Sequence, residues 1–222
     1  YNTAIGVCAL NANTTGYNNT AIGGFTLPQN TIGTNNTAIG QGALFGNTTG
    51  NYNTAIGLNT LSGNTTGNHN TAIGYAALFQ NSTGTYNTAI GKSSLRFNTT
   101  GNNNTAIGNY TLFNNIVGNH NTTIGKSALY NITSGSNNIA FGQNAGCLFS
   151  GSSSNNIAIG FGAGPSVNTE ESNKLYIASG SAPLIKGDFA AKTVNISGSL
   201  TVTGSITGSL LGTSSCAVSS SY

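Results

Sequence analysis

Residues 53–69 read Asn53-Thr-Ala-Ile-Gly-Leu-Asn-Thr-Leu-Ser-Gly-Asn-Thr-Thr-Gly-Asn-His69, and at Asn70 the same phrase begins again. The glycine that closes Asn-Thr-Ala-Ile-Gly or its variants falls at Gly6, Gly23, Gly40, Gly57, Gly74, Gly91, Gly108, Gly125, Gly142 and Gly160, eight steps of 17 residues and a last step of 18. A fixed period of this kind marks a repeat architecture, in which each unit buries its face only against its neighbours. Counted from its first Asn, the coil reads N-T-A-I-G-x-x-(A/T/S)-L-x-x-N-T-T-G-x-x.

Helix is excluded on two grounds. Gly at positions 5 and 15 and Asn at position 12 are poor helix formers, and helical repeats need units of about 33 residues or more. Short strands remain: Thr-Ala-Ile is one, and the segment ending in Leu is a second. Gly at positions 5 and 15 suits corners needing positive φ, and Asn-Thr-Thr-Gly reads as an outer turn. Successive coils then pair in parallel, about 4.8 Å apart. The fold class is all-β, a parallel β-solenoid or β-roll of ten coils of about 17 residues.

Two apolar columns run through the repeat and are expected to form the core. One is Ile5, Ile22, Ile39, Ile56, Ile73, Ile90, Ile107 and Ile124; the other is Leu10, Leu27, Leu44, Leu61, Leu78, Leu95, Leu112 and Leu129. Position 1 is Asn in all ten coils, from Asn2 to Asn156; in register it forms an amide ladder as in cross-β assemblies. Coils nine and ten exchange Thr for Ile at position 2 (Ile139, Ile157) and Leu for Gly at position 9 (Gly146, Gly164). This exchange predicts that positions 2 and 9 face one interior.

Composition excludes several functions. Only 4% of the 222 residues are charged, against about 25% in average proteins. Residues 1–169 carry no Asp or Glu, and their only cations are Lys92, Arg96 and Lys126. Three cations make no stripe for nucleic acid. No apolar run reaches membrane-spanning length. Glycoside hydrolysis commonly needs paired carboxylates, and the repeats have none; adjacent Glu170 and Glu171 read as a solvated pair. Cys8, Cys147 and Cys216 have neither disulfide-framework nor metal-ligand spacing. No catalytic, cofactor-binding or metal-binding residue is assigned.

The variable positions are candidates for surface contact. Position 17 carries Tyr52, His69, Tyr86 and His120, a solvent-facing stripe suited to a receptor. Positions 10 and 11 carry Phe45, Phe79, Phe97, Phe113 and Tyr130, an aromatic ridge expected to be buried between chains. Sequons at Asn47, Asn64, Asn81 and Asn98 predict a row of sugars on an outer edge wherever the host glycosylates.

Asn156-Ile-Ala-Ile-Gly-Phe-Gly-Ala-Gly164 and its nine counterparts resemble the head repeats of YadA-like trimeric autotransporter adhesins. The resemblance covers about residues 2–166 and implies a homotrimer of β-rolls. Lys174-Leu-Tyr-Ile177, Pro183-Leu-Ile-Lys-Gly-Asp-Phe189 and the stretch from Val194 to Leu210 look like phage tail-fibre proteins, where such a segment follows head-like repeats. Residues 1–169 are therefore expected to form the solenoid, and residues 170–222 a β-rich shaft or trimerisation segment. Apolar residues alternating with Ser, Thr and Gly up to Ile206 and Leu210 fit such a shaft, as does the Ser-rich tail around Cys216. The chain reads as an internal section of a longer polypeptide. Three functions follow: a trimeric phage or virus tail fibre for host attachment or spacing; a bacterial surface adhesin or extracellular filament; and an ice-binding solenoid. The implied partners are the chain itself and a host-surface receptor or glycan. The implied location is extracellular, on a virion tail or cell surface.

Overall fold

The computed structural model describes residues 1–180 and 182–198; the expectations for Ile206, Leu210 and Cys216 lie outside them. Ten three-residue strands form the rungs of one sheet: β1 (Thr3–Ile5), β2 (Thr20–Ile22), β3 (Thr37–Ile39), β4 (Thr54–Ile56), β5 (Thr71–Ile73), β6 (Thr88–Ile90), β7 (Thr105–Ile107), β8 (Thr122–Ile124), β9 (Ile139–Phe141) and β10 (Ile157–Ile159). Neighbours pair in parallel with equivalent residues side by side, Ala55 against Ala72 and Ile56 against Ile73. The chain is all-β in its described part, a parallel solenoid of about ten turns.

The segment ending in Leu is not a strand. It is a tight corner in which the residues at positions 7 and 9 take left-handed backbone, as at Ser93 (φ 55°) and Leu95 (φ 52°). These corners still bond along the stack: the Leu78 N–H donates to the Ser94 carbonyl at 3.0 Å. Position 5 needs glycine for its backbone, since Gly91 has φ 127°. Position 15 needs glycine for space instead. A Cβ on Gly84 would lie 2.3 Å from Asn81 Oδ1 and 2.5 Å from the Gly101 carbonyl oxygen.

Side chains alternate across a strand, so Thr and Ile share one face and Ala takes the other. The interior face is the Ala face. Ala21, Ala38, Ala55, Ala72, Ala89 and Ala106 are fully buried, as are Leu27, Leu44, Leu61, Leu78, Leu95, Leu112 and Leu129; Leu10, in the first coil, is nearly so. The Ile column expected in the core lies outside. Ile39, Ile73 and Ile124 are exposed, Ile22, Ile56, Ile90 and Ile107 are half-buried, and Ile5 on the end rung is open to solvent. The cause is the small cross-section of a 17-residue turn. It admits one long apolar side chain, Leu, and gives its remaining space to methyl groups and two asparagines.

Those asparagines form two buried ladders. At position 1 the backbone N–H of Asn70 donates to Asn53 Oδ1 at 3.0 Å, while Asn70 Nδ2 reaches the same oxygen at 3.2 Å and the Gly84 carbonyl at 2.8 Å. At position 12 Asn81 Nδ2 donates to Asn64 Oδ1 at 2.8 Å and to the Gly84 carbonyl at 3.0 Å. The position-15 carbonyl thus accepts from both ladders and ties them together. This arrangement overturns the glycosylation expectation. Asn47, Asn64, Asn81 and Asn98 are fully buried with their amide nitrogens engaged, so the fold leaves no room for a sugar.

The second ladder ends where Ile132 replaces Asn at position 12, leaving Asn115 Oδ1 buried without a donor. From there the core is rebuilt, but not as the exchange at positions 2 and 9 suggested. Ile139 is 36% exposed and lies on the outer face. The volume freed at Gly146 goes instead to position 12: Ile132 and Phe149 are fully buried, and a Cβ on Gly146 would come within 2.9 Å of the Phe149 ring. Tyr176 continues the filling, its ring 5.7 Å from that of Phe149.

The sheet also runs past residue 169. β11 (Lys174–Ala178) pairs in parallel with β10, setting Tyr176 beside Ala158. Residues 170–173 close a further turn with the bonds of the repeat. The Glu171 carbonyl accepts from Asn156 Nδ2 at 2.8 Å, and the Lys174 N–H donates to Asn156 Oδ1 at 2.9 Å. Only after β11 does pairing become antiparallel, through β12 (Pro183–Asp188) and β13 (Thr193–Ile196).

Candidate functional site

In coils one to seven the inward positions 1, 3, 5, 9, 12 and 15 do not vary and position 8 is always Ala, Thr or Ser, while the larger changes of side chain fall at outward positions. Two groups of side chains gather there.

The first is the position-17 column. Position 17 has left-handed backbone in every coil, which suits Asn, yet it holds Tyr52, His69 and Tyr86 at φ 56–57°. The in-register stack sets these rings face to face. Tyr52 and His69 are 4.9 Å apart at 5°, and His69 and Tyr86 are 4.8 Å apart at 3°. All three are exposed, as the sequence suggested, and the faces they turn toward one another are covered. His120 is exposed but separated from the stack by Asn103.

The second group spans coils five to eight. Phe97 meets Phe113 edge-on at 4.9 Å, Tyr110 meets Phe113 at 5.5 Å, and Tyr130 stacks on Phe113 at 5.1 Å. The Arg96 guanidinium lies 5.4 Å from the Phe79 centroid and 5.7 Å from that of Phe97, and Lys92 Nζ lies 5.6 Å from that of Tyr110. The expected aromatic ridge therefore half-buries itself within one chain, while Phe45 stands apart and exposed. The cations did not figure in the sequence reading of this ridge. The signal was there: Lys92 and Arg96 sit at positions 6 and 10, next to the aromatic positions 7, 10 and 11.

The carboxylates beyond the repeats are anchored separately. Glu170 accepts from Ser152 Oγ at 3.2 Å, and Glu171 accepts from the Tyr176 hydroxyl at 2.6 Å. Lys174 pairs with Asp188 across β11 and β12, and this pairing holds the Asp188 carboxyl below its ordinary range. Burial, then the hydrogen bond and charge of Glu171, push the Tyr176 phenol above its ordinary range. A group whose acidity is weakened by folding contributes stability that is present below its unfolded pKa and lost as pH rises beyond it. Tyr176 is thus expected to ionise last in an alkaline absorbance titration, and Tyr176→Phe removes that final phase; a titration unchanged by the substitution contradicts the contact.

Cys8 and Cys147 are free thiols. Among the described residues no three His, Cys, Asp or Glu side chains gather as a metal site, and no helix is long and apolar enough to cross a membrane. An open cleft between β11 and β12 is lined by Ile177, Ala178, Pro183, Leu184 and Ser197, without an acid, base or thiol. Comparison with protein-family models, curated proteins and solved structures gives no match.

Proposed function

We propose that the chain is a structural fibre protein, a section of a phage or virus tail fibre used for host attachment or as a spacer. The observation that carries this reading is the Ile column on the outer face of the sheet. It runs without a break from Ile5 to Ile124 and continues as Phe141 and Ile159, with Ile39, Ile73, Ile124, Phe141 and Ile159 each more than a third exposed. Monomers rarely expose an apolar strip of such length. Three chains meeting along this face would cover it and give a stiff rod, with attachment surfaces on the outer corners. A trimer also agrees with the likeness to adhesin heads.

A bacterial surface adhesin would use the same rod, so location separates the two. Antibody raised against the purified chain is expected to label tail fibres of virions in immunogold electron microscopy. Label confined to cell envelopes favours the adhesin, and label on neither overturns both. An ice-binding reading would need the position-2 Thr column of the outer sheet face, since the Thr hydroxyls of position 13 bond along the stack. Thr31 Oγ1, for example, donates to the Thr48 carbonyl at 3.0 Å.

A further inference from the structure

We propose that the basic and aromatic cluster on coils five to eight binds an anionic polysaccharide carrying carboxylate or sulfate groups along its length. The inference rests on the attachment reading for its biological setting only.

Charge is the first ground. Residues 1–169 contain no acid, and all three of their cations lie in this patch. Lys92 and Lys126 are exposed, and the ion pair found among the described residues, Lys174 with Asp188, is elsewhere. Arg96 is held between two phenyl rings rather than against a carboxylate, and its buried Nε has no acceptor. The positive charge is therefore uncompensated within the chain.

Spacing is the second. Lys92 and Lys126 occupy the same corner two coils apart, a separation of about 10 Å along the axis. That is close to the repeat of a disaccharide in an extended chain, so a polymer lying along the fibre can set successive acidic sugars against both. Three cations are too few for the many phosphate contacts of nucleic-acid binding.

The rings are the third. Phe97 and Phe113 meet at 84°, and Tyr110 lies at 63° to Phe113. Tyr130 stacks on Phe113 and caps one of its faces, but all four rings are only half-buried, so together they keep apolar surface open to the C–H faces of sugars. The parallel Tyr52–His69–Tyr86 stack has no such surface between its members. The solenoid does not require these residues either: at position 6, where Lys92 and Lys126 sit, other coils carry Val7, Gly24, Gln41, Leu58 and Tyr75.

The test is binding of the purified chain to immobilised hyaluronate and heparin, with neutral dextran and single-stranded DNA as comparisons, at low and high salt. Salt-weakened binding to at least one anionic polysaccharide is expected, with no binding to dextran. Arg96→Gln is expected to weaken it about tenfold, the size of one charge-assisted contact. Phe113→Ala should weaken it while leaving the salt dependence unchanged. Replacing Tyr52, His69 and Tyr86 together by Asn should have no effect. Circular dichroism and melting confirm that each variant is folded. Absence of binding to both polysaccharides overturns the proposal, as does tighter binding to DNA or full binding by Arg96→Gln. None of these outcomes bears on where the protein resides, which immunogold labelling decides.

Discussion

Gly91→Ala is expected to cost more than about 3 kcal/mol and to split the melting of the solenoid, whereas Gly24→Ala changes stability by less than about 0.5 kcal/mol. The two glycines sit one position apart in the repeat and face opposite constraints. Gly91 has φ 127°, and a Cβ there would lie 2.6 Å from the Gly108 carbonyl oxygen and 2.7 Å from its carbon. Both contacts are with backbone in the next rung, so relief requires the rungs to part. At Gly24 an added Cβ meets nothing within 4 Å, and φ is not positive. Stability in a repeat array is close to a sum of unit and nearest-neighbour terms. A break between coils six and seven therefore divides the array into two blocks. Guanidinium melts followed by circular dichroism read the effect; equal stability of the two variants would contradict the assigned corner.

Asn70→Ala is expected to cost about 2–4 kcal/mol although it removes no apolar contact. Asn70 is fully buried, and its Oδ1 accepts the backbone N–H of Asn87 at 3.0 Å. Truncation leaves that N–H unpaired inside the protein and removes two further bonds from Nδ2. Asn70→Asp should be worse, because a carboxylate would face Asn53 Oδ1 and the Gly84 carbonyl, both acceptors. Asn68→Ala is the control. Asn68 Oδ1 accepts the Asn51 N–H at 2.7 Å, but at a half-buried site where water can replace it, so about 1 kcal/mol is expected. Equal losses at Asn68 and Asn70 would contradict an interior position for the first ladder.

These two substitutions also mark what the sequence made legible. The period, the parallel register, the position-1 Asn ladder and the buried Leu column follow from spacing alone, because in-register stacking puts like on like. The side of the strand that faces inward did not follow. Thr-Ala-Ile alternates correctly whichever way it is turned, and the usual rule places the larger apolar residue inside. Here the interior is polar enough to be filled by asparagines that satisfy one another along the stack, and Ile is left outside. For the same reason Asn47 and Asn64, which are buried, read as surface sequons. The solenoid runs beyond residue 169 because Glu170 and Glu171, which read as a solvated pair, are tied to the stack, Glu170 by its carboxylate on Ser152 and Glu171 by its backbone carbonyl on Asn156 Nδ2. Of the candidate surface residues, Tyr52, His69 and Tyr86 were legible because one position in one register must form a column. The association of Arg96 with Phe79 and Phe97 depends on how positions 10 and 11 of adjacent coils meet at a corner, which periodicity does not describe.

The central claim is that each 17-residue unit is one turn of a stack with equivalent residues aligned. Double electron–electron resonance between spin labels at position 17 tests it most directly. Chains with Cys8, Cys147 and Cys216 replaced by Ser are labelled at Asn18 and Asn103, or at Asn18 and His120, and diluted with unlabelled chains to suppress distances between molecules. The stack predicts narrow distributions centred near 24 Å for the first pair and near 29 Å for the second, a difference of one rung. Broad distributions, or two distances that do not differ by about 5 Å, would contradict it.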